Sequence, residues 1–306
     1  MNTNEELELY KKALNESNLE CSALLSSREF CLGKRIISFV NALKKGQFHQ
    51  MKKLIKGKIG GIQSRTKSFV KTKCNVTLGD ASDYKSRVAV YTCIVGGYDN
   101  VLEPLFRLKN VDFFLFSDKT SVTHSDNWAC RDIPPELLQY DNTMINRYIK
   151  LHPHQFFPSY DFAMYIDGNV KIVNDVTPLL HQAKCVGGIA MFNHCRRDCL
   201  YDEAQMCLLC GKGNARQIKS QIEIYKKQKF PVHWGLKEAT VIISDLKNGN
   251  SRKILDNWWN ELKNSKSLRD QLSFPYSLWK NGSKMSDIGV LGDDIYHNEI
   301  LRIYPH

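Results

Sequence analysis

The sequence predicts an α/β domain built on a mostly parallel sheet flanked by helices, preceded by a basic helical arm. Three observations carry this. From Arg87 onward, short β-branched and aromatic runs alternate with longer segments of helical periodicity, the order of strands joined by crossover helices. The chain of 306 residues is long enough to bury one large core, and its 25% charged and 42% hydrophobic residues are those of an ordinary globular protein. The charge is uneven: residues 1–80 hold 15 Lys/Arg against 7 Asp/Glu, while residues 81–306 hold 28 against 25. The two stretches are therefore read separately, as an arm over 1–80 and a domain over 81–306.

In the arm, no acidic residue lies between Phe30 and Gly79. The stretch KRIISFVNALKKGQFHQMKKLIKGKIG interleaves Ile36, Val40, Leu43, Met51, Leu54 and Ile55 with lysines at spacings of three and four. Such a segment packs its apolar stripe on the main domain, docks onto another protein, or lies on an anionic membrane surface, here through residues 34–73. No zinc-finger, helix-turn-helix or RNA-binding pattern accompanies the charge, so no nucleic-acid partner is expected. The chain has no run of about 18 apolar residues, and its opening MNTNEELELY is acidic and polar. The expectation is a cytoplasmic protein, peripheral at the inner membrane face where the arm touches it.

In the domain, RVAVYTCIVGGYDN reads as a buried strand ending in Gly96-Gly97, and VDFFLFSDK as a second ending at Ser117-Asp118. DNTMINRYIKL reads as a capped helix stopped by Pro153 and Pro158. FAMYIDGNVKI is a third strand, with further strands at VGGIAMF and EATVIISDL and helices at LYDEAQMCLLCG, ARQIKSQIEIYKKQ and SRKILDNWWNELKN. Ten cysteines in a chain without a secretory signal are expected reduced. Cys207 and Cys210 are expected on one helix face as small buried hydrophobes, because the spacing of Cys195, Cys199, Cys207 and Cys210 matches no familiar zinc module.

In open parallel sheets, ligands bind at the carboxyl ends of the strands. Three runs end there in suitable groups: Gly96-Gly97 with Asp99, Ser117-Asp118, and Asp167-Gly168-Asn169. Together they describe a nucleotide pocket, without the P-loop or G-x-G-x-x-G of an ATPase or dehydrogenase. A tight turn is the plainer account of Asp167-Gly168-Asn169 alone.

The segments NRYIKLHPHQFFPSYDFAMYIDGNVKI, HCRRDCLYDEA, KEATVIISDL and SLRDQLSFPYSLWK resemble a glycosyltransferase-like family of plant mucilage-related and bacterial surface-polysaccharide proteins, long called domain of unknown function 616. The resemblance covers roughly residues 86–305. The order of parts is also distantly similar to retaining family-eight glycosyltransferases of GT-A type, and so implies a GT-A-like (Rossmann-like) sheet. It implies that Asp167 and Asn169 stand in the D-x-D metal motif, with His297 as a third ligand for Mn2+ or Mg2+. The departure is Asn169, whose amide oxygen suits a hard cation but adds no charge. Arg147, Lys150 and Asp167 are then expected to face the donor diphosphate or sugar, with Tyr91, Thr92 and Asp118 at the nucleoside.

After the strand GGIAMF, His194 and Arg196 are expected to bind the acceptor sugar. Asp270 and Gln271 are expected to carry the chemistry, with Glu238 as an alternative base. The aromatic residues Trp258, Trp259, Phe274, Tyr276 and Trp279 are read as core first and as sugar-packing faces second. The expected activity is transfer of a sugar from a nucleotide-sugar donor to a surface-polysaccharide or lipid-linked glycan acceptor, with retention. Two rivals stand beside it. A nucleotidyltransferase would consume a nucleoside triphosphate and release pyrophosphate; a noncatalytic nucleotide-sugar-binding module is favoured by Asn169.

Overall fold

The first two apolar runs form Val88–Ile94 (β1) and Val111–Ser117 (β2), and every residue of β1 is buried, which requires cover on both faces of the sheet. The computed structural model describes residues 85–118, 125–296 and 298–304. The arm expected over 1–80 and His297 lie outside the described residues. A short, largely exposed strand that the sequence did not signal, Ala129–Asp132 (β3), follows β2. Next come Asn142–Leu151 (α1), whose N-cap Asp141 accepts a hydrogen bond from the Met144 amide, and the turn-long Pro153–Phe156 (α2). Phe162–Ile166 (β4) and Val170–Ile172 (β5) flank the Asp167-Gly168-Asn169 turn.

Thr177–Leu180 (α3) leads to Ile189–Asn193 (β6), Leu200–Leu209 (α4) and Ala215–Lys227 (α5). The chain then forms Lys237–Asp245 (β7), Gly249–Ser265 (α6), Asp270–Lys280 (α7), Gly289–Val290 (β8) and Leu301–Ile303 (β9). The helix α7 was not apparent in the sequence, where Pro275 argues against one; it interrupts the hydrogen-bond ladder in the second turn. At the end of α4, Cys207 is buried as expected, but Cys210 is exposed at the C-cap.

Among the described residues the main sheet runs β3-β2-β1-β4-β7-β6-β8. β1 pairs in parallel with β2 and β4, β2 with β3, and β6 with β8; β7 alone opposes its neighbours. The sheet is thus mostly parallel, and the strand ends read as polar meet on one edge. β5 and β9 form a separate antiparallel pair.

Two cores cover the sheet. On one face Tyr91, Tyr165, Met191 and Ile242 pack with Ile149 of α1, Trp258 of α6 and Phe274 of α7. On the other, Val90, Met164, Val241 and Ile243 pack with Val176 and Leu180. A third cluster joins α4, α5 and α7 through Cys207, Ile218, Tyr225 and Tyr276. Trp258 is fully buried, and its Nε1 donates to the Asp270 carbonyl (3.0 Å) and to Ser273 Oγ (3.1 Å), pinning the start of α7. Trp258, Trp259, Phe274 and Tyr276 are therefore core, and Trp279 packs partly buried against the third cluster.

Candidate active site

At the polar edge of the sheet, α1, the end of β4 and the start of α7 bring four charged side chains together. Lys150 is 1% exposed, and its Nζ lies 2.7 Å from Asp270 Oδ2 and 3.5 Å from Asp167 Oδ1. Arg147 Nε is 3.2 Å from the same Asp270 oxygen, without the alignment of a hydrogen bond, and its Nη1 donates to Asn146 Oδ1 (2.7 Å). The spacing of Arg147 and Lys150, three residues on a helix, puts both on the face turned toward the sheet edge. Two cations thus balance two carboxylates. Burial by itself raises the Asp270 carboxyl, but Arg147, Lys150 and Arg269 outweigh it and hold the group far below the ordinary carboxylate range.

The helix carrying these cations is fixed to the sheet by polar contacts. Tyr91, expected at the nucleoside, is instead in the core: its hydroxyl donates to the Lys150 carbonyl (2.8 Å) and its ring meets Phe157 and Tyr165. Thr92 is likewise buried, with Oγ1 unpartnered. Asn146, which the sequence reading passed over although it lies one turn before Lys150, donates to the Cys93 carbonyl (2.8 Å) and the Tyr165 hydroxyl (3.2 Å). Asp118 does reach the strand ends, accepting from the Gly96 amide at 2.8 Å.

The Asp167 side chain keeps 30% of its surface exposed. A Cβ at Gly168 would lie 2.7 Å from Asp99 Oδ2, so any larger residue there would push the Asp99 side chain aside. Asn169 donates through Nδ2 to the Tyr304 carbonyl (2.9 Å), while its own carbonyl accepts from the Tyr304 amide (2.9 Å). The amide thus ties the turn to the segment following β9. Its oxygen end is the one chemically suited to a hard cation.

An irregularity in β7 brings in Glu238. Pairing with β6 jumps from Met191–Ile242 to Phe192–Glu238, so residues 239–241 are extra on β7. Glu238 Oε2 lies 3.4 Å from Gln271 Nε2, and Oε1 accepts from Thr240 Oγ1 at 3.3 Å. Burial raises this carboxyl above its ordinary value; His194 opposes the shift, and Glu203 and Asp167 add to it. Tyr296, half-exposed in the last loop, feels Glu238 as well: burial first and then this carboxylate push its hydroxyl up to about 12. Its adjacency to His297 was the one available sequence signal.

His194 has a different task from the acceptor contact expected of it. Nδ1 accepts from the amides of Arg196 (3.2 Å) and Arg197 (3.1 Å), and Nε2 faces Glu203 Oε2 at 3.3 Å. Both ring nitrogens are committed, and this pattern selects the Nε2–H tautomer. Glu203, buried on α4, also receives Arg197 Nε at 2.7 Å. Despite burial, His194 and Arg197 hold its carboxyl down at about 2. The result is a braced loop with Arg196 exposed on its outer side.

Among the described residues, no group of three or more His, Cys, Asp or Glu side chains is arranged to hold a metal, and no helix is long and apolar enough to cross a membrane.

A search of curated proteins finds no match. Solved structures with a similar chain trace include apo mouse xyloside xylosyltransferase 1, at 8% identity and TM-score 0.40, covering 67% of this chain and 84% of that one. An active-site mutant of LgtC is similar at 13% identity and TM-score 0.40, covering 66% and 72%. The galactosyltransferase LgtC with donor and acceptor sugar analogues follows at 13% identity and TM-score 0.37, again covering 66% and 72%. These are distant likenesses. A family model described as TOD1/MUCI70, glycosyltransferase-like domain, matches residues 44–306, beginning inside the stretch read as the arm. The chain therefore belongs to the TOD1/MUCI70 glycosyltransferase-like domain family.

Proposed function

We propose that this chain transfers a glycosyl group from a nucleotide-diphosphate sugar to a hydroxyl of a surface-polysaccharide or lipid-linked glycan, with retention at the anomeric carbon. The observation that carries the reading is the Arg147–Asp270–Lys150–Asp167 cluster, assembled from three elements at the carboxyl edge of parallel strands. Breaking the bond between sugar and diphosphate gathers negative charge on the leaving oxygen, and fixed cations near it lower the barrier. Arg147, the more exposed of the two cations, faces that charge. Lys150 acts from below by holding Asp270 and Asp167 in place. Asp270 and Gln271 face the anomeric centre, and Asp118 with the Gly96-Gly97 turn receives the nucleoside.

Asp167 and the Asn169 amide oxygen fit a hard divalent cation in donor type, two oxygens one glycine apart. His297 adds a third ligand in this reading. Bound there, Mn2+ or Mg2+ would supply further positive charge beside the diphosphate. The acceptor hydroxyl approaches on the face that the diphosphate leaves, which keeps the anomeric configuration; its proton goes to Glu238, with the departing phosphate oxygen as the other acceptor, and Arg196 contacts the acceptor from the braced loop.

The test is calorimetry of the full chain against a panel of nucleotide sugars with and without Mn2+, followed by NMR of the product's anomeric configuration. Binding of a nucleotide sugar and release of a nucleoside diphosphate are expected. Consumption of a nucleoside triphosphate with pyrophosphate release would move the protein to nucleotidyl transfer, and binding without turnover would leave a carrier module.

A further inference from the structure

The domain's net positive charge has one source. Residues 81–306 hold 28 Lys/Arg against 25 Asp/Glu, and the stretch 212–229 alone contributes six against one, leaving 22 against 24 elsewhere. Lys212, Arg216, Lys219, Lys226, Lys227 and Lys229 are all exposed. On α5 the buried positions Ile218, Gln221 and Tyr225 define the inner face, and Arg216, Lys219 and Lys227 fall around the opposite pole together with the exposed Glu223.

Helix stability accounts for only part of this pattern, through Glu223, which stands four residues from both Lys219 and Lys227. Cations in the last turn complement the helix dipole, so Lys226 and Lys227 are explained that way. Arg216 and Lys219 stand near the N-terminus, where the dipole disfavours them, and the first turn holds no acidic residue to offset them. Aliphatic side chains interrupt the charge: Leu209 is 42%, Ile224 50% and Val232 65% exposed. The aromatic residues of the stretch, Tyr225 and Phe230, are buried, so no exposed ring is offered for base stacking. Cations with interspersed aliphatic groups match an anionic bilayer, where the charges meet headgroups and the apolar groups enter the boundary below them.

We propose that the outer face of α5, with Lys212 and Lys229 at its ends, is a docking surface for anionic lipid bilayers. It lies in a different stretch of the sequence from the arm expected over 1–80, and its test needs no sugar chemistry. It begins close to the site: a Cβ at Gly213 would lie 3.3 Å from the Arg269 side chain, the residue preceding Asp270. A lipid-linked acceptor would therefore be met near the reactive edge.

The test uses the full chain and vesicles of phosphatidylcholine, either pure or with about one-third phosphatidylserine. The wild type is expected to partition onto the anionic vesicles, with slowed amide exchange across residues 212–229. The triple variant Arg216→Gln, Lys219→Gln, Lys227→Gln keeps good helix formers and is expected to partition about tenfold more weakly or worse. Unchanged partition of the triple variant overturns the proposal. So does the absence of exchange protection in 212–229 of the wild type, which requires no variant to fold. Single-stranded RNA binding at least as tight as vesicle binding, and lost in the triple variant, would give the face to nucleic acid instead.

Discussion

Replacing Asp270 with Asn tests the charge cluster most directly. The Asp270 carboxylate lies 2.7 Å from the Lys150 ammonium and 3.2 Å from Arg147 Nε. With an effective dielectric of about 20, those separations correspond to gross attractions of about 6 and about 5 kcal/mol. Desolvation of the ions cancels much of this, and removing one partner of a buried pair costs about 3–5 kcal/mol, chiefly by stranding the remaining charge. At about 2–4 °C per kcal/mol for a domain of this size, Tm should fall by roughly 10 °C. The folded carboxyl lies below its ordinary 3.8, so the wild-type advantage is fully present above that pH and is lost as pH falls further. Thermal unfolding across a pH series reads both effects, and Asn should remove the part of the acid dependence that belongs to Asp270. Adding Lys150→Met removes a stranded cation, so the double variant should be less destabilised than the sum of the single changes. An Asp270→Asn protein that melts within about 2 °C of wild type near neutrality would refute the account of the cluster.

Glu238 behaves oppositely, because its folded carboxyl is raised above the ordinary 4.5: stability should decline as pH rises from 4.5 through the folded value, and Glu238→Gln should flatten that decline. The same variant should lower turnover by about 100-fold or more while sparing nucleotide-sugar affinity in calorimetry. For Glu203, held at about 2, Glu203→Gln should erase the stability lost between pH 4.5 and about 2, visible in acid titrations followed by circular dichroism. Asn169→Asp restores a second carboxylate and should tighten Mn2+ binding in calorimetry. It also replaces the donor to the Tyr304 carbonyl, costing about 1 kcal/mol in thermal unfolding.

Much of the framework was legible from local patterns. The strands β1, β2, β4, β6 and β7 and the helices α1, α4, α5 and α6 stand where their periodicity placed them, because burial on both faces and amphipathic spacing leave direct traces in a sequence. The shortest elements were not legible: β3 is four residues and mostly exposed, and β8 and β9 are two or three residues long, whereas β5 lay within the run FAMYIDGNVKI, which the turn at Asp167-Gly168-Asn169 divides. Nor was α7, since Pro275 speaks against a helix that packing with Trp258 and Phe274 sustains. Residues 1–80 lie outside the described structure, so the arm stays a reading of composition.

The sequence by itself showed which polar groups end the strands, and the family resemblance implied Arg147, Lys150 and Asp167 at the donor and, separately, Asp270 and Gln271 for the chemistry. Tertiary structure alone decided their arrangement, because Lys150 and Asp270 are 120 positions apart and meet only when α7 docks against α1. It turned Tyr91 inward, committed both nitrogens of His194 to a loop, and brought Glu238 to Gln271 beside an irregular stretch of β7. The physical reason is that residue type and spacing set what a side chain can bond. Which partner it actually meets is set by long-range packing, whose contacts leave no local periodicity to read.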